Sequence, residues 1–258
     1  MALHHEVAGE GPAVVFVHAG ICDSGMWDHQ WQSLASGRRL LRYDMRGYGR
    51  SPLPPEPYSS ARDLLDVMDA AGIERAALVA VSLGGRVALE VALVEPTRVS
   101  GLVVVGSGLP GHDWSPEARE FFTAEDLALE RGDLDAAAEL NVCFWVVGPR
   151  RSPDQVDASV RDRVHEMQKH AFELQLPTWE QAEERPVAPD LADRLAEIEQ
   201  PTLVLVGAED QPDIHAIADQ LVRTLPNVGF ESIPDAGHVP NMEQPAQFDR
   251  LVGAFLDG

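Results

Sequence analysis

The stretch Ala80-Val81-Ser82-Leu83-Gly84-Gly85 sets one hydroxyl between an apolar run and two glycines. A serine hydroxyl is a weak nucleophile until a neighbouring base takes its proton. This stretch can therefore support attack on a carbonyl carbon, provided the chain also supplies a histidine and an acid. A residue at a tight strand-to-helix turn is forced into sparsely populated backbone angles, so its neighbours two positions away must be small. Ala80 and Gly84 meet that need, and Gly85 lets a following helix approach the sheet. Such a turn lifts Ser82 above the C-terminal edge of a sheet, where ligands of open α/β sheets bind. It also aims a helix N-terminus, with its partial positive charge, at the place where an oxyanion would form.

The base must come later in the chain, in the order Ser, then Asp or Glu, then His. Of nine histidines, His238 stands out. It follows the last strand-like run in "ESIPDAGHVPNMEQP", flanked by Gly237 and Pro240. His18 precedes the serine and reads as a structural residue shaping its own turn. His4 and His5 lie at the N-terminus. His29, His112, His165, His170 and His215 fall in helix-like or inserted segments, where a solvated or locally bonded side chain is expected. His165 and His170 are five apart, the wrong spacing for two metal ligands on one helix face. The acid is expected in "PTLVLVGAEDQPDIH". Asp210, three residues past Gly207, fits best, with Glu209 second. Its role would be to hold the imidazole tautomer and stabilise the imidazolium. The oxyanion donors would be the Leu83 amide and one from "VVFVHAGICDSGMW", with Gly20 chosen and Ile21 as the alternative.

These groups need a scaffold that brings distant loops to one edge. Strand-like runs are Ala13–Val17, Leu40–Tyr43, Ala76–Val81, Val99–Val105, Thr202–Val206 and Gly229–Ile233. Between them lie helix-like stretches, roughly Trp27–Ala35, Ser59–Ala71, Gly85–Val94, Asp213–Thr224 and Pro245–Leu256. The alternation predicts a mostly parallel sheet with helices on both faces. Leu3–Ala8 is expected to add an antiparallel edge hairpin.

One region breaks the rhythm. Residues 110–195 read as several helices with Pro and Gly joints, and only Val142–Val147 resembles a strand. The expected organisation is a core of residues 1–109 and 196–258, with 110–195 as a helical lid inserted between two core strands. Large side chains cluster in the insertion. Phe144, Trp145, Phe172 and Trp179 are the candidates for lining a substrate pocket, and ordinary packing is the competing role for each.

Composition bounds the rest. The chain has 258 residues, 45 % apolar and 24 % charged, and 42 acids against 20 bases leave a net charge of −22. Such a field repels phosphate backbones and anionic lipid, so nucleic acid and membrane surfaces are not expected partners. Two cysteines, Cys22 and Cys143, make neither a disulfide framework nor a zinc site. Buried thiols in a reducing, cytoplasmic setting are the expectation. The N-terminus lacks the basic start and apolar core of a signal peptide.

Taken together, "AVSLGG", "VGAED", "AGHVPNMEQP" and the run "RYDMRGYGRSP" (Arg42–Pro52) resemble the α/β-hydrolase family over essentially the whole chain outside the insertion. Within it the chain looks most like the esterase, 3-oxoadipate enol-lactonase and cofactor-free haloperoxidase branch. Alanine replaces the first glycine of the usual elbow, and Ala19 departs from the common His-Gly pair. Serine at 82 argues against haloalkane dehalogenases and epoxide hydrolases, and Val239 departs from the carbon–carbon-bond hydrolases. The resemblance implies a serine hydrolase of a small carboxylic ester or lactone, working through an acyl-enzyme on Ser82, His238 and Asp210 with no metal or organic cofactor. Acyl transfer or perhydrolysis on the same residues is one alternative. A non-catalytic receptor for an apolar small molecule is the other.

Overall fold

The computed structural model describes residues 3–258. Seven strands form one sheet in the order β1-β3-β2-β4-β5-β6-β7. They are β1 His5–Ala8, β2 Ala13–Val17, β3 Arg39–Tyr43, β4 Ala76–Val81, β5 Val99–Val105, β6 Thr202–Gly207 and β7 Val228–Ile233. The helices are α1 Asp28–Ser33, α2 Ser60–Ala70, α3 Leu83–Val94, α4 Pro116–Glu130, α5 Leu134–Asn141, α6 Ala158–Gln175, α7 Leu191–Arg194, α8 Pro212–Thr224, α9 Pro240–Glu243 and α10 Pro245–Leu256. This is an α/β-hydrolase fold.

The reason lies in the side chains. β4 and β6 are buried along their whole length, which only a sheet covered on both faces allows. The covering helices carry their apolar residues at helical spacing: Ala61, Leu64, Val67 and Met68 on α2, and Ile214, Ile217, Ala218 and Leu221 on α8 are all buried. They join the strands in one continuous core.

Three details differ from the sequence reading. β1 is an antiparallel edge strand, but it makes no hairpin with β2. It pairs with β3, His5 opposite Tyr43 and Ala8 opposite Leu40, because β2 is occupied by parallel pairing with β3 and β4. Val142–Val147 is not a strand but a π-helical turn that continues α5. Its buried residues, Val142 and Trp145–Val147, leave Cys143 and Phe144 between them less buried, a pattern that six apolar residues cannot display unambiguously in sequence. Cys143 points outward from this turn and is exposed, whereas Cys22 is buried as expected.

The insertion between β5 and β6 stacks α4 on α5 and α5 on α6, while α7 returns to pack on α3. Near its end, Glu184 accepts from Arg86 of α3 at 2.7 and 2.8 Å.

The pairing register brings the strand ends level. Val17 lies opposite Ala80, Val81 opposite Val105, Val105 opposite Leu205 and Gly207 opposite Ile233. Loops leaving these ends therefore share one edge, and the tightest of them is the turn at Ser82. A Cβ on Gly84 would lie 2.6 Å from the carbonyl oxygens of both Val17 and His18, and one on Gly85 would lie 2.7 Å from Ser107 Oγ. Gly84 and Gly85 lack side chains because α3 starts against β2 and the end of β5.

Gly84→Ala tests this contact. Alanine is about 1 kcal/mol better than glycine inside a helix, but the collision is with backbone, and overpacking costs about 1–3 kcal/mol. The variant should melt below the parent by calorimetry. A Tm at or above the parent's would show that the turn yields.

Candidate active site

Ser82 has φ 56° and ψ −115°, a conformation that costs a non-glycine residue about 1–3 kcal/mol. Backbone bonds hold it there. Its N–H donates to Val105 O at 2.8 Å, and its carbonyl accepts from Arg86 N at 3.2 Å and Gly108 N at 3.3 Å. The side chain stays half-buried at the head of α3.

His238 and Asp210 arrive from the ends of β7 and β6. His238 Nδ1 lies 2.9 Å from Asp210 Oδ2 and 3.2 Å from Oδ1. Both side chains are 1 % exposed. The second function of Asp210 Oδ1 is to accept from Gln211 N at 2.8 Å. With an ionised carboxylate as partner, Nδ1 carries the proton and Nε2 is left as the basic nitrogen. A Cβ on Gly106, directly after the Ser82-bonded strand end, would sit 3.3 Å from His238 Nδ1. Serine and imidazole thus share one edge. The Ser82 hydroxyl makes no hydrogen bond to His238 among the described residues, a contact that often closes only when substrate binds.

The neighbouring acids, Glu209 in the same loop and Asp213 in the first turn of α8, face elsewhere. Glu209 pairs with Arg150 at 2.9 Å. Asp213 accepts from Ser115 N at 2.8 Å and Ser115 Oγ at 2.6 Å, with His112 Nε2 at 3.1 Å. Gly20 sits beside Leu83: a Cβ on Gly20 would be 3.4 Å from Leu83 Cβ. Gly20 and Ile21 are the central residues of a turn closed by Cys22 N–H donating to Ala19 O at 3.0 Å. Leu83 opens α3, where the first amides have no partner inside the helix. His18 shapes this turn, as expected. Its Nδ1–H donates to Ala19 O at 2.8 Å and its Nε2 accepts from Met45 N at 2.9 Å. Complete burial holds its pKa below the ordinary imidazole value, so it stays neutral.

The model of the alpha/beta hydrolase family matches residues 14–251. The chain belongs to the alpha/beta hydrolase family. It is 30 % identical over 264 residues to a Bacillus subtilis (strain 168) protein provisionally named 2-succinyl-6-hydroxy-2,4-cyclohexadiene-1-carboxylate synthase, covering 98 % of this chain and 95 % of that one. It is 27 % identical over 247 residues to 3-oxoadipate enol-lactonase 1 of Acinetobacter baylyi (strain ATCC 33305 / BD413 / ADP1), covering 95 % and 88 %. Among solved structures, a thermophilic esterase from Thermogutta terrifontis aligns with a TM-score of 0.80 at 28 % identity, covering 99 % and 93 %.

The pocket candidates of this family member separate. Trp145 lies over His238, ring centroids 4.6 Å apart. Phe144 meets Trp145 edge-on at 4.7 Å and stacks on Phe121 at 4.2 Å. Trp114, which the sequence reading did not single out, joins this group through Phe122 and Trp145. Its signal was its type and its place just after β5. Phe172 is instead buried inside the insertion against Ala128 and Ala137, so its ring packs helices together rather than facing the serine. Trp179 is 56 % exposed and rims a cavity of about 330 Å³ shared with Tyr48, Tyr58, Leu83 and Gln175. No cluster of three or more His, Cys, Asp or Glu side chains suited to a metal occurs among the described residues. None of the described helices is long and apolar enough to cross a membrane.

Asp213 ties the start of the insertion to α8, and its protonation should loosen that tie. Burial pushes its carboxyl up, but the bonds from Ser115 and His112 more than offset this and hold it below the ordinary 3.8. A depressed carboxylate contributes stability above its unfolded pKa and loses it as pH falls through the folded one. Asp213→Asn should therefore cost about 1.5–3 kcal/mol at neutral pH, and much less once the pH has fallen through the depressed folded-state value. Thermal melts of both proteins across the acid range check this. Parallel curves would mean that Asp213 is not the acid-sensitive tie.

Proposed function

We propose that this protein is a serine hydrolase that cleaves a small carboxylic ester or lactone through an acyl-enzyme. One observation carries the reading: a serine in a strained strand-to-helix turn shares a sheet edge with a buried imidazole bonded to a carboxylate. The similarity to an enol-lactonase and an esterase supports the substrate class.

The geometry supports one course of reaction. Nε2 of His238 takes the Ser82 proton as Oγ attacks the carbonyl carbon. Asp210 holds the ring by Nδ1 and stabilises the imidazolium. The Leu83 and Gly20 amides hold the oxyanion, and losing such a donor typically costs about 3 kcal/mol of barrier. His238 then gives its proton to the leaving alkoxide. With an ester the alcohol departs; with a lactone the new hydroxyl stays on the acyl chain. His238 next takes a proton from water, the hydroxide attacks the acyl carbon, and Ser82 leaves with the proton back on Oγ. Each step uses the chain's own groups and water. The insertion, residues 110–195, acts as the lid, with Trp145 and its aromatic neighbours as an apolar wall beside the base.

A fluorophosphonate should label Ser82 and leave Ser107 untouched. Ser107 is buried and its hydroxyl donates to Gly108 O at 2.8 Å. Asp210→Asn should cut kcat by about 10⁴-fold, whereas Glu209→Gln, which loses only a partly exposed ion pair, should stay near the parent. Peptide mass analysis without an adduct at Ser82 would sink the reading.

The aromatic wall should set selectivity. A methylene-sized change in an apolar pocket is worth about 1–3 kcal/mol, so Trp145→Ala should shift kcat/KM unevenly across a short-to-long ester series. Phe172→Ala, a change inside the cluster with Ala128 and Ala137, should lower Tm and leave the selectivity profile alone. An even loss across the series for Trp145→Ala would assign that ring to packing.

A further inference from the structure

A helix leaves its last carbonyls without partners inside it. α5 runs directly into the π-helical turn Val142–Val147, so these carbonyls belong to Phe144, Trp145, Val146 and Val147. Each accepts from a group beyond the helix. Gln211 Nε2 donates to Phe144 O at 2.5 Å. The backbone N–H of His238 donates to Trp145 O at 3.2 Å. Arg151 donates to Val146 O through Nη2 at 2.5 Å and to Val147 O through Nε at 3.0 Å. Gln211 directly follows Asp210, so one helix end is shared between the loop of the acid and the loop of the histidine.

Arg151 spans the remaining gap. Its Nη1 donates to Asp235 O at 3.1 Å and to Glu243 Oε2 at 2.8 Å. The other oxygen of Glu243 accepts from Gly237 N at 2.8 Å. The Arg151 and Glu243 side chains are 7 % and 4 % exposed. Two features show how tightly the loop is held. Asp235 has φ 55°, a left-handed conformation that surroundings must enforce on a non-glycine residue. A Cβ on Gly237 would lie 2.5 Å from Arg151 Nη2 and 2.8 Å from Val146 O. An ion pair this deeply buried is a poor source of net stability, and fixing register is the best-attested use of such a pair. A planar guanidinium with five donors suits that use, because it can bind several acceptors in one fixed geometry.

We propose that Arg151 and Glu243 are positioning residues that hold the His238 loop against the end of the α5–π turn, at the separation from Asp210 and Ser82 that the reaction requires. This rests on the reading of His238 as the base. Residues 142–151 are then frame rather than gate, and admission of substrate falls to the rest of the insertion.

The test uses the full chain, with 4-nitrophenyl acetate turnover per folded molecule, the rate of Ser82 labelling by a fluorophosphonate, and Tm. A misplacement of about 1 Å can cost about a hundredfold in rate. Arg151→Met and Glu243→Gln should therefore lower kcat and the labelling rate by about tenfold to a hundredfold, with KM within about threefold of the parent's. Arg151→Lys should recover part of the loss. Gly237→Ala keeps every charge but pushes the loop off the clamp, and should give the same kcat-selective loss. It carries the test if Arg151→Met does not fold. Parental kcat and labelling rate in these variants, with only Tm lowered, would overturn the clamp while Ser82→Ala and His238→Ala remain inactive. If those two references keep turnover, the hydrolase reading itself fails and the clamp falls with it.

Discussion

The conformation of Ser82 is the constraint around which the rest of the structure is arranged. A φ of 56° with ψ −115° is unfavourable for a residue with a Cβ, so neighbouring elements must over-determine it. Val105 takes the serine's N–H, and Arg86 and Gly108 bond to its carbonyl. These bonds exist only if β4 and β5 end level and α3 starts at once. An immediate start requires the glycines, because the head of α3 is pressed against the carbonyls of Val17 and His18 and against Ser107. The buried strands thus supply both the core and the rigidity that keeps the serine in place.

The parallel sheet then delivers the other groups at little extra cost in geometry. The loops after β6 and β7 leave from the same edge, so Asp210 and His238 need only turn toward each other. Their contact is buried, and the competing acids between β6 and the first turn of α8 are already engaged. Glu209 is neutralised by Arg150 and Asp213 is consumed by Ser115 and His112. In a chain of net charge −22, this assignment of partners matters. It leaves one carboxylate on the imidazole rather than several competing for it.

Much of this was legible in the sequence, and the reasons are local. β2, β4 and β5 match the expected residues because runs such as "ALVAV" and "LVVV" are too apolar to face water on either side. Asp210 and His238 were expected to meet from their positions just past strand ends, since strand ends define the edge, and their side chains are in contact. The failures lie where tertiary context decides. Val142–Val147 is rich in strand-favouring residues, yet it extends a helix, because α5 is already formed ahead of it. Phe172 and Trp145 are both aromatic and both in the insertion, but the choice between packing α6 on its neighbours and covering an imidazole depends on helix orientation. A single sequence carries no such orientation. The pairing of Arg151 with Glu243, 92 residues apart, was equally invisible.

The π-helical turn connects these observations. A standard α-helical end would direct its carbonyls along one axis, with each register set by a repeat of 3.6 residues. Widening the turn changes the direction in which successive carbonyls point, which is why such turns recur at functional sites. Here the widened end serves three donors from different elements: Gln211, the His238 amide and Arg151. Gly148 closes the turn at φ 78°, with Glu209 O only 2.5 Å from where its Cβ would be, so the chain leaves the helix by passing directly beside the acid's loop. The insertion is therefore not a uniform cover. Where it touches the Asp210 and His238 loops it is built into them by backbone bonds, and where it carries Phe121, Phe122 and Trp114 it presents only side chains. On the proposed function, selectivity can change on the second surface without disturbing the first, because Trp114 and α4 precede the α5–π turn that carries the bonds.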